Sequence, residues 1–154
     1  MHKFKPIICS INISKGGIPK LPVSSVRVSF SGLEGDGHHH EKHHTPIQAV
    51  CLQDIERLHE LQEEGYTLGP GIIGENLTMS HLQVNQLPVG TILRFSSGVV
   101  MELTKVRKPC YVLDGIHLKL KEDIVGRCGM YAKVLHEGIL AVGDSVEAQI
   151  FQSN

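Results

Sequence analysis

The densest grouping of metal-ligand chemistry in the chain is Glu34-Gly35-Asp36-Gly37-His38-His39-His40-Glu41-Lys42-His43-His44. Five histidines, Asp36 and two glutamates fall within eleven residues, and Thr45-Pro46 follows. Neutral imidazoles and carboxylates are the donors that zinc, nickel and iron take. The same composition suits a solvated polar loop in which one or two histidines shape a pocket, because a metal site also needs converging donors held by outer partners. The run is internal and interrupted, unlike a purification tag.

Arg107-Lys108-Pro109-Cys110 is a second candidate. A thiol reacts as its thiolate, and neighbouring cations favour that form. Pro109 cannot extend a sheet ladder, so the strand before it should end there and present Cys110 at its rim. A buried, inert cysteine beside two solvated basic residues fits the same four letters. Two glycine-rich stretches complete the set. In Gly69-Pro70-Gly71-Ile72-Ile73-Gly74-Glu75-Asn76-Leu77, glycines bring backbone N–H groups near an anion, but the spacing is neither a P-loop nor a dinucleotide fingerprint. An irregular loop explains it equally, with Asn76 as a cap or a ligand contact. In Gly126-Arg127-Cys128-Gly129-Met130, Arg127 could offer its planar fork to a phosphate or pterin-like group, or pair with a carboxylate.

The elements that must position these residues read mostly as short strands. Val26, Val28 and Phe30 alternate with Arg27 and Ser29, and Ile7 to Ile13 behaves similarly. Ile92 to Phe95 and Val99 to Val106 flank Ser96-Ser97-Gly98, a hairpin signal. Tyr131 to Leu135 and Val146 to Phe151 add two more. Strands of this length and spacing point to a barrel or sandwich. A helix is expected from Asp54 to Glu64, where Ile55, Leu58 and Leu61 (with Leu52 just before) recur on one face. Asp54 is its N-cap and Gly65 its stop. A shorter helix with Leu113, Ile116 and Leu120 on its apolar side follows Cys110, interrupted by Gly115. Leu87-Pro88-Val89-Gly90-Thr91 and Leu140-Ala141-Val142-Gly143-Asp144 echo one another as two similar turns.

The 154 residues make a single domain, able to bury roughly 70% of its unfolded surface. A formal charge of -1 leaves no electrostatic footprint for nucleic acid or an anionic membrane. No apolar run reaches the roughly 20 residues of a membrane span, and the basic start lacks an apolar signal core, so a cytoplasmic protein is expected. Cys9, Cys51, Cys110 and Cys128 form no C-x-x-C pair, which argues against a zinc knuckle or a disulfide framework.

Taken in order, these pieces resemble the MOSC family, the domain found at the end of molybdenum cofactor sulfurases, in amidoxime-reducing molybdoenzymes, and alone in many bacteria. The resemblance rests first on Gly35-Asp36 with its histidines, Gln48-Ala49-Val50, Pro70-Gly71 and Gly74-Glu75-Asn76-Leu77-Thr78. It continues with Leu87-Pro88-Val89-Gly90 and with Thr104 to Arg107 leading into Pro109-Cys110. Gly126-Arg127, Gly129-Met130-Tyr131-Ala132 and Gly143-Asp144 complete it. It runs from about Gly32 to Val146 and implies one domain over 1–154, mostly β, built as a strongly curved β-barrel with one or two short helices.

The resemblance implies that Cys110 is the reactive residue, carrying sulfur as a persulfide or ligating molybdenum. It implies that Asp36, His38, His44, Asn76 and Arg127 line the same cleft, with Arg107, Lys108 and Arg127 favouring negative charge around Cys110. Asp36, Asn76, Arg107 and Arg127 are the expected contacts to a molybdenum cofactor, and Cys110, His38 and His44 the expected metal ligands. The implied roles are sulfur transfer to a molybdoenzyme or reduction of N-hydroxylated compounds. A cysteine desulfurase or a molybdoenzyme would be the partner; any pyridoxal phosphate belongs to that desulfurase, since no lysine motif for it occurs here. Glu41-Lys42-His43-His44 stands where the family often has a glycine pair, and the N-terminal barrel region of the amidoxime reducers is not present. Both departures weaken the carry-over of reductase activity. Two other readings stand beside these: a metal-binding module built on the histidine run, and a non-catalytic barrel that docks a partner enzyme.

Overall fold

The computed structural model describes residues 4–37 and 46–151. The chain is mostly β with two short helices. Its alternating runs form β1 (Ile7–Ile13), β3 (Ser25–Ser29), β7 (Ile92–Phe95), β8 (Val100–Val106), β9 (Met130–His136) and β11 (Val146–Gln149). Val26 and Val28 are buried, while Phe30 falls beyond β3 and is exposed, since the chain turns there. The remaining strands are β2 (Leu21–Val23), β4 (Gly32–Leu33), β5 (Val50–Asp54), β6 (Leu77–Ser80) and β10 (Gly138–Ala141).

Eight strands form one sheet in the order β11-β7-β8-β9-β5-β6-β1-β2, and β10-β3-β4 form a smaller one. Neighbours pair antiparallel except β5 and β6, which run parallel with Leu52 opposite Leu77. A parallel pair needs a crossover, and α1 (Ile55–Glu63) lies within this one. The mostly β class is as expected, while the strongly curved barrel is not closed by strand pairing, since β1 and β11 share no ladder. β11 spends its ladder on β7, and β1 spends its own on β6 and β2. The seam between β1 and β11 is crossed by the isolated bridge Ile7–Ser145 and by bonds such as Ile8 N–H to the Asp144 carbonyl at 2.9 Å.

One apolar core, including Ile11, Leu52, Leu77, Met79, Leu93 and Met101, fills the space inside the strands. A second joins Leu58 and Leu61 of α1 to Ile73, Leu113, Leu120 and Ile124. Burying one such leucine contributes roughly 1.5–3 kcal/mol, so this second core fixes the loops around it. The expected face of α1 is thus the buried one, except that Leu52 belongs to β5. Asp54 precedes α1 but does not cap it. Its carboxylate accepts the Gln83 and Val84 N–H groups at 2.6 and 2.8 Å, across the fold.

After Cys110 the expected helix is split. A 3₁₀ turn covers Tyr111–Gly115, and α2 (Leu120–Asp123) follows, with Leu113 and Leu120 buried on the expected side. The two echoing turns share a backbone conformation: Gly90 and Gly143 both have φ +97°, the left-handed region that glycine adopts without a Cβ penalty. Among the described residues no helix is long and apolar enough to cross a membrane.

Candidate functional site

β8 and β9 pair as far as Val106–Met130, and the Arg107 N–H continues the contact to the Gly129 carbonyl at 3.1 Å. This geometry turns the Arg107 side chain inward, leaving it 8% exposed. One guanidinium nitrogen donates to the Ile73 carbonyl at 2.5 Å, and the other lies 3.9 Å from Cys51 Sγ. Among the described residues, its bonded partners are thus a carbonyl and a thiol rather than a carboxylate. Burial works against its charge, but the titratable groups around it, Cys51, Cys128, Tyr131 and Glu75, hold its pKa above the ordinary value.

Arg107 lines a polar cavity of about 130 Å³ together with Lys20, Gln48, Cys51, Gly74, Asn76 and Tyr131. Asn76 sits where three segments meet. Its Oδ1 accepts the Cys51 N–H at 2.9 Å, and its Nδ2 donates to the Asn12 carbonyl at 3.3 Å and to Asp36 Oδ2 at 3.0 Å. The Asp36 side chain is 1% exposed and ion-paired with Lys20 at 2.7 Å, and it accepts the Ser14 N–H at 3.0 Å. Lys20 is therefore held at the cavity by Asp36, which is held by Asn76.

Below these groups lies a buried polar chain. Ser10 donates to Asn12 Oδ1 at 2.6 Å, Asn12 Nδ2 to Thr78 Oγ1 at 3.0 Å, and Thr78 to Glu75 Oε2 at 2.7 Å. Among the described residues Glu75 Oε1 has no hydrogen-bond partner, and burial pushes the Glu75 carboxyl up, favouring its neutral form. Burial likewise pushes the Tyr131 hydroxyl up to about 12 and the Cys128 thiol to about 11, and raises Cys51 although Arg107 opposes it. Lys20 and Arg107 bring two cationic side chains to the cavity wall, and Lys20 is paired with the Asp36 carboxylate. Such a site draws anions.

Cys110 is exposed and stands at the head of the 3₁₀ turn, its carbonyl accepting the Leu113 N–H at 3.1 Å. It follows Arg107, which lines the cavity, by three residues in the chain. Of the expected site residues, the fold brings Asp36, Asn76 and Arg107 together. Arg127 goes elsewhere: its fork bonds Glu64 at 2.6 and 3.0 Å, with Glu60 at 3.7 Å, and it ties α1 to the loop after α2. Its main-chain carbonyl, not its side chain, faces inward, accepting Gln53 Nε2 at 2.6 Å. Lys108 is exposed. His38 and His44, with the rest of the histidine run, lie outside the described residues. Sequence reasoning did not single out Lys20 and Tyr131 as site residues. Tyr131 stood in a matching motif without a role, and Lys20 carried no signal, since its place depends on a partner sixteen residues away.

Comparison with known proteins bears on the family and the fold. Residues 36–147 match the family model of the MOSC domain. The uncharacterized protein YflK of Bacillus subtilis is 32% identical over 139 residues, covering 85% of this chain and 62% of that protein. A reductase of Gibberella moniliformis is 27% identical over 128 residues, 77% of this chain and 22% of its own. The chain thus spans less than two thirds of either relative. Among solved structures, the YuaD protein of Bacillus subtilis superposes with a TM-score of 0.81 at 17% identity, over 97% of this chain and 98% of that one. YiiM of Geobacillus stearothermophilus superposes with a TM-score of 0.77 at 26% identity, over 94% and 75%.

Proposed function

The chain belongs to the MOSC domain family, and from that premise we propose that Cys110 is the reacting sulfur of a site that handles the molybdenum cofactor. The observation that supports this reading is a polar cavity with the buried Arg107 in its wall, followed three residues later in the chain by the exposed thiol of Cys110. The donor set fits the group. Thiolate sulfur is a soft ligand, and soft ligands suit soft metal centres. The Arg107 fork, not engaged by a described carboxylate, is matched to a phosphate or another oxyanion.

When bound, the cofactor supplies redox chemistry at molybdenum. The protein's own residues do the rest. Cys110 offers its sulfur, and Arg107 and Lys20 attract and orient the anionic portion of the cofactor. Asp36 and Asn76 fix Lys20, so that the cation does not have to be ordered on binding. The Tyr131 hydroxyl, kept protonated by burial, is a hydrogen-bond donor in the same wall. A retained cofactor would fit a reductase, the word by which the Gibberella relative is named, and the family resemblance implies N-hydroxylated compounds as the substrate class.

The exposure of Cys110 also supports a second reading, in which a cysteine desulfurase passes a sulfur atom to Cys110, which holds it as a persulfide for delivery to a molybdoenzyme. Metal content measured by mass spectrometry separates the two. Untagged protein from a host that makes the cofactor is expected to carry near-stoichiometric molybdenum, lost in Cys110→Ala. No molybdenum in either protein overturns cofactor retention and leaves the persulfide carrier. Zinc or nickel in both would shift the function to the histidine run.

A further inference from the structure

A second cavity, of about 310 Å³, opens beside the turn that Cys110 heads. Its lining is Ile18, Pro19, Ile72, Val112, Gly115 and Ile116, with no charged side chain among them. That volume lies within the range of small-molecule sites, which are mostly apolar with a few convergent polar groups. Here the polar groups lie in the cavity next door. Val112 and Gly115 belong to the 3₁₀ turn and Ile116 ends it, so this wall begins two residues from the exposed thiol.

The opposite wall backs onto the polar cavity. A Cβ placed on Gly74, which lines the polar cavity, would lie 2.9 Å from Ile18 Cγ2 and 3.6 Å from an Arg107 guanidinium nitrogen. Gly74 is thus the thin partition between the apolar and the polar space. Ile72, Val112 and Ile116 also pack against the second core, which holds the walls in place.

We propose that this cavity is the specificity pocket of the Cys110 site. It takes the apolar body, an aryl or short alkyl group, of the small molecule whose reacting group meets the Cys110 sulfur. A charged body would lose its water there without replacement. Each methylene buried would raise affinity up to about fourfold. The inference rests on the reading of Cys110 as the reacting sulfur.

The test needs no cofactor. Methyl, butyl and hexyl methanethiosulfonates are reacted with the purified full chain, and the rate of modification at Cys110 is followed by mass spectrometry, each rate divided by that of the same reagent with glutathione. In this reaction the Cys110 thiolate displaces methanesulfinate and forms a mixed disulfide carrying the alkyl group. In the wild type the normalised rate is expected to climb from methyl to hexyl. A Cβ added at Gly115, a lining residue, meets nothing within 4 Å, so the side chain of Gly115→Leu starts into open space. This variant should keep the methyl rate and lose the climb, and Ile116→Ser, which makes the wall polar without filling it, should flatten it. A flat wild-type series, or an undiminished climb in Gly115→Leu, overturns the pocket. A climbing series in a protein whose molybdenum and sulfur loading do not depend on Cys110 leaves a binding pocket but overturns its assignment to a reacting sulfur.

Discussion

Asn76 holds Asp36 across forty residues of chain, its amide donating to the carboxylate at 3.0 Å while its own carbonyl oxygen accepts the Cys51 N–H at 2.9 Å. The segment that leads into the histidine run is thereby fastened to the glycine-rich loop and to β5. Lys20 takes its position from the same carboxylate.

Asn76→Ala leaves the buried Cys51 N–H without its partner and removes one hydrogen bond to Asp36, which keeps Lys20. The expected cost is about 1–3 kcal/mol, read as a lower urea midpoint. Asn76→Asp should cost more, because it sets a second carboxylate against Asp36. A variant as stable as wild type would show that Asn76 does not hold these segments together.

Glu75 sets a pH dependence. Its carboxyl is buried and raised from an ordinary value of 4.5, so the folded protein holds this proton more tightly than the unfolded chain. Between the unfolded and the raised folded value, stability therefore falls as pH rises, by at most about 1.4 kcal/mol per pH unit. Glu75→Gln removes that slope. Urea unfolding across pH should find the variant more stable than wild type above the window and similar to it below. Parallel curves would refute the assignment.

Arg127 pairs with glutamates on the outside of α1. Arg127→Ala is expected to lower Tm by no more than a few degrees, since exposed ion pairs contribute little, and to leave molybdenum content unchanged. Loss of metal with retained stability would return Arg127 to the cofactor site.

What the sequence revealed of the fold follows from burial. β3, β7 and β8 have one face toward the core and the other toward solvent, and their alternation is visible. β5 and β6 are buried on both faces, all nine of their residues, so the period of two disappears. Leu52 then looked like part of the helix that follows. Closure was not legible either, because it depends on which partner claims each strand's hydrogen bonds. Within the site, Asp36, Asn76 and Arg107 could be marked because they stand in motifs. Arg127 stands in one too, yet its fork is claimed by Glu64, a surface pairing that no local spacing announces.

The terminal strand of the large sheet, β2, is three residues long and carries Pro22 opposite Asn12. A terminal strand is where a foreign chain can add itself by backbone pairing, and short, proline-bearing ones resist this. The opposite terminal strand, β11, is bridged back toward β1. The sheet consequently offers a passing strand little to template on, and its many β-branched residues do not make it a seed for aggregation.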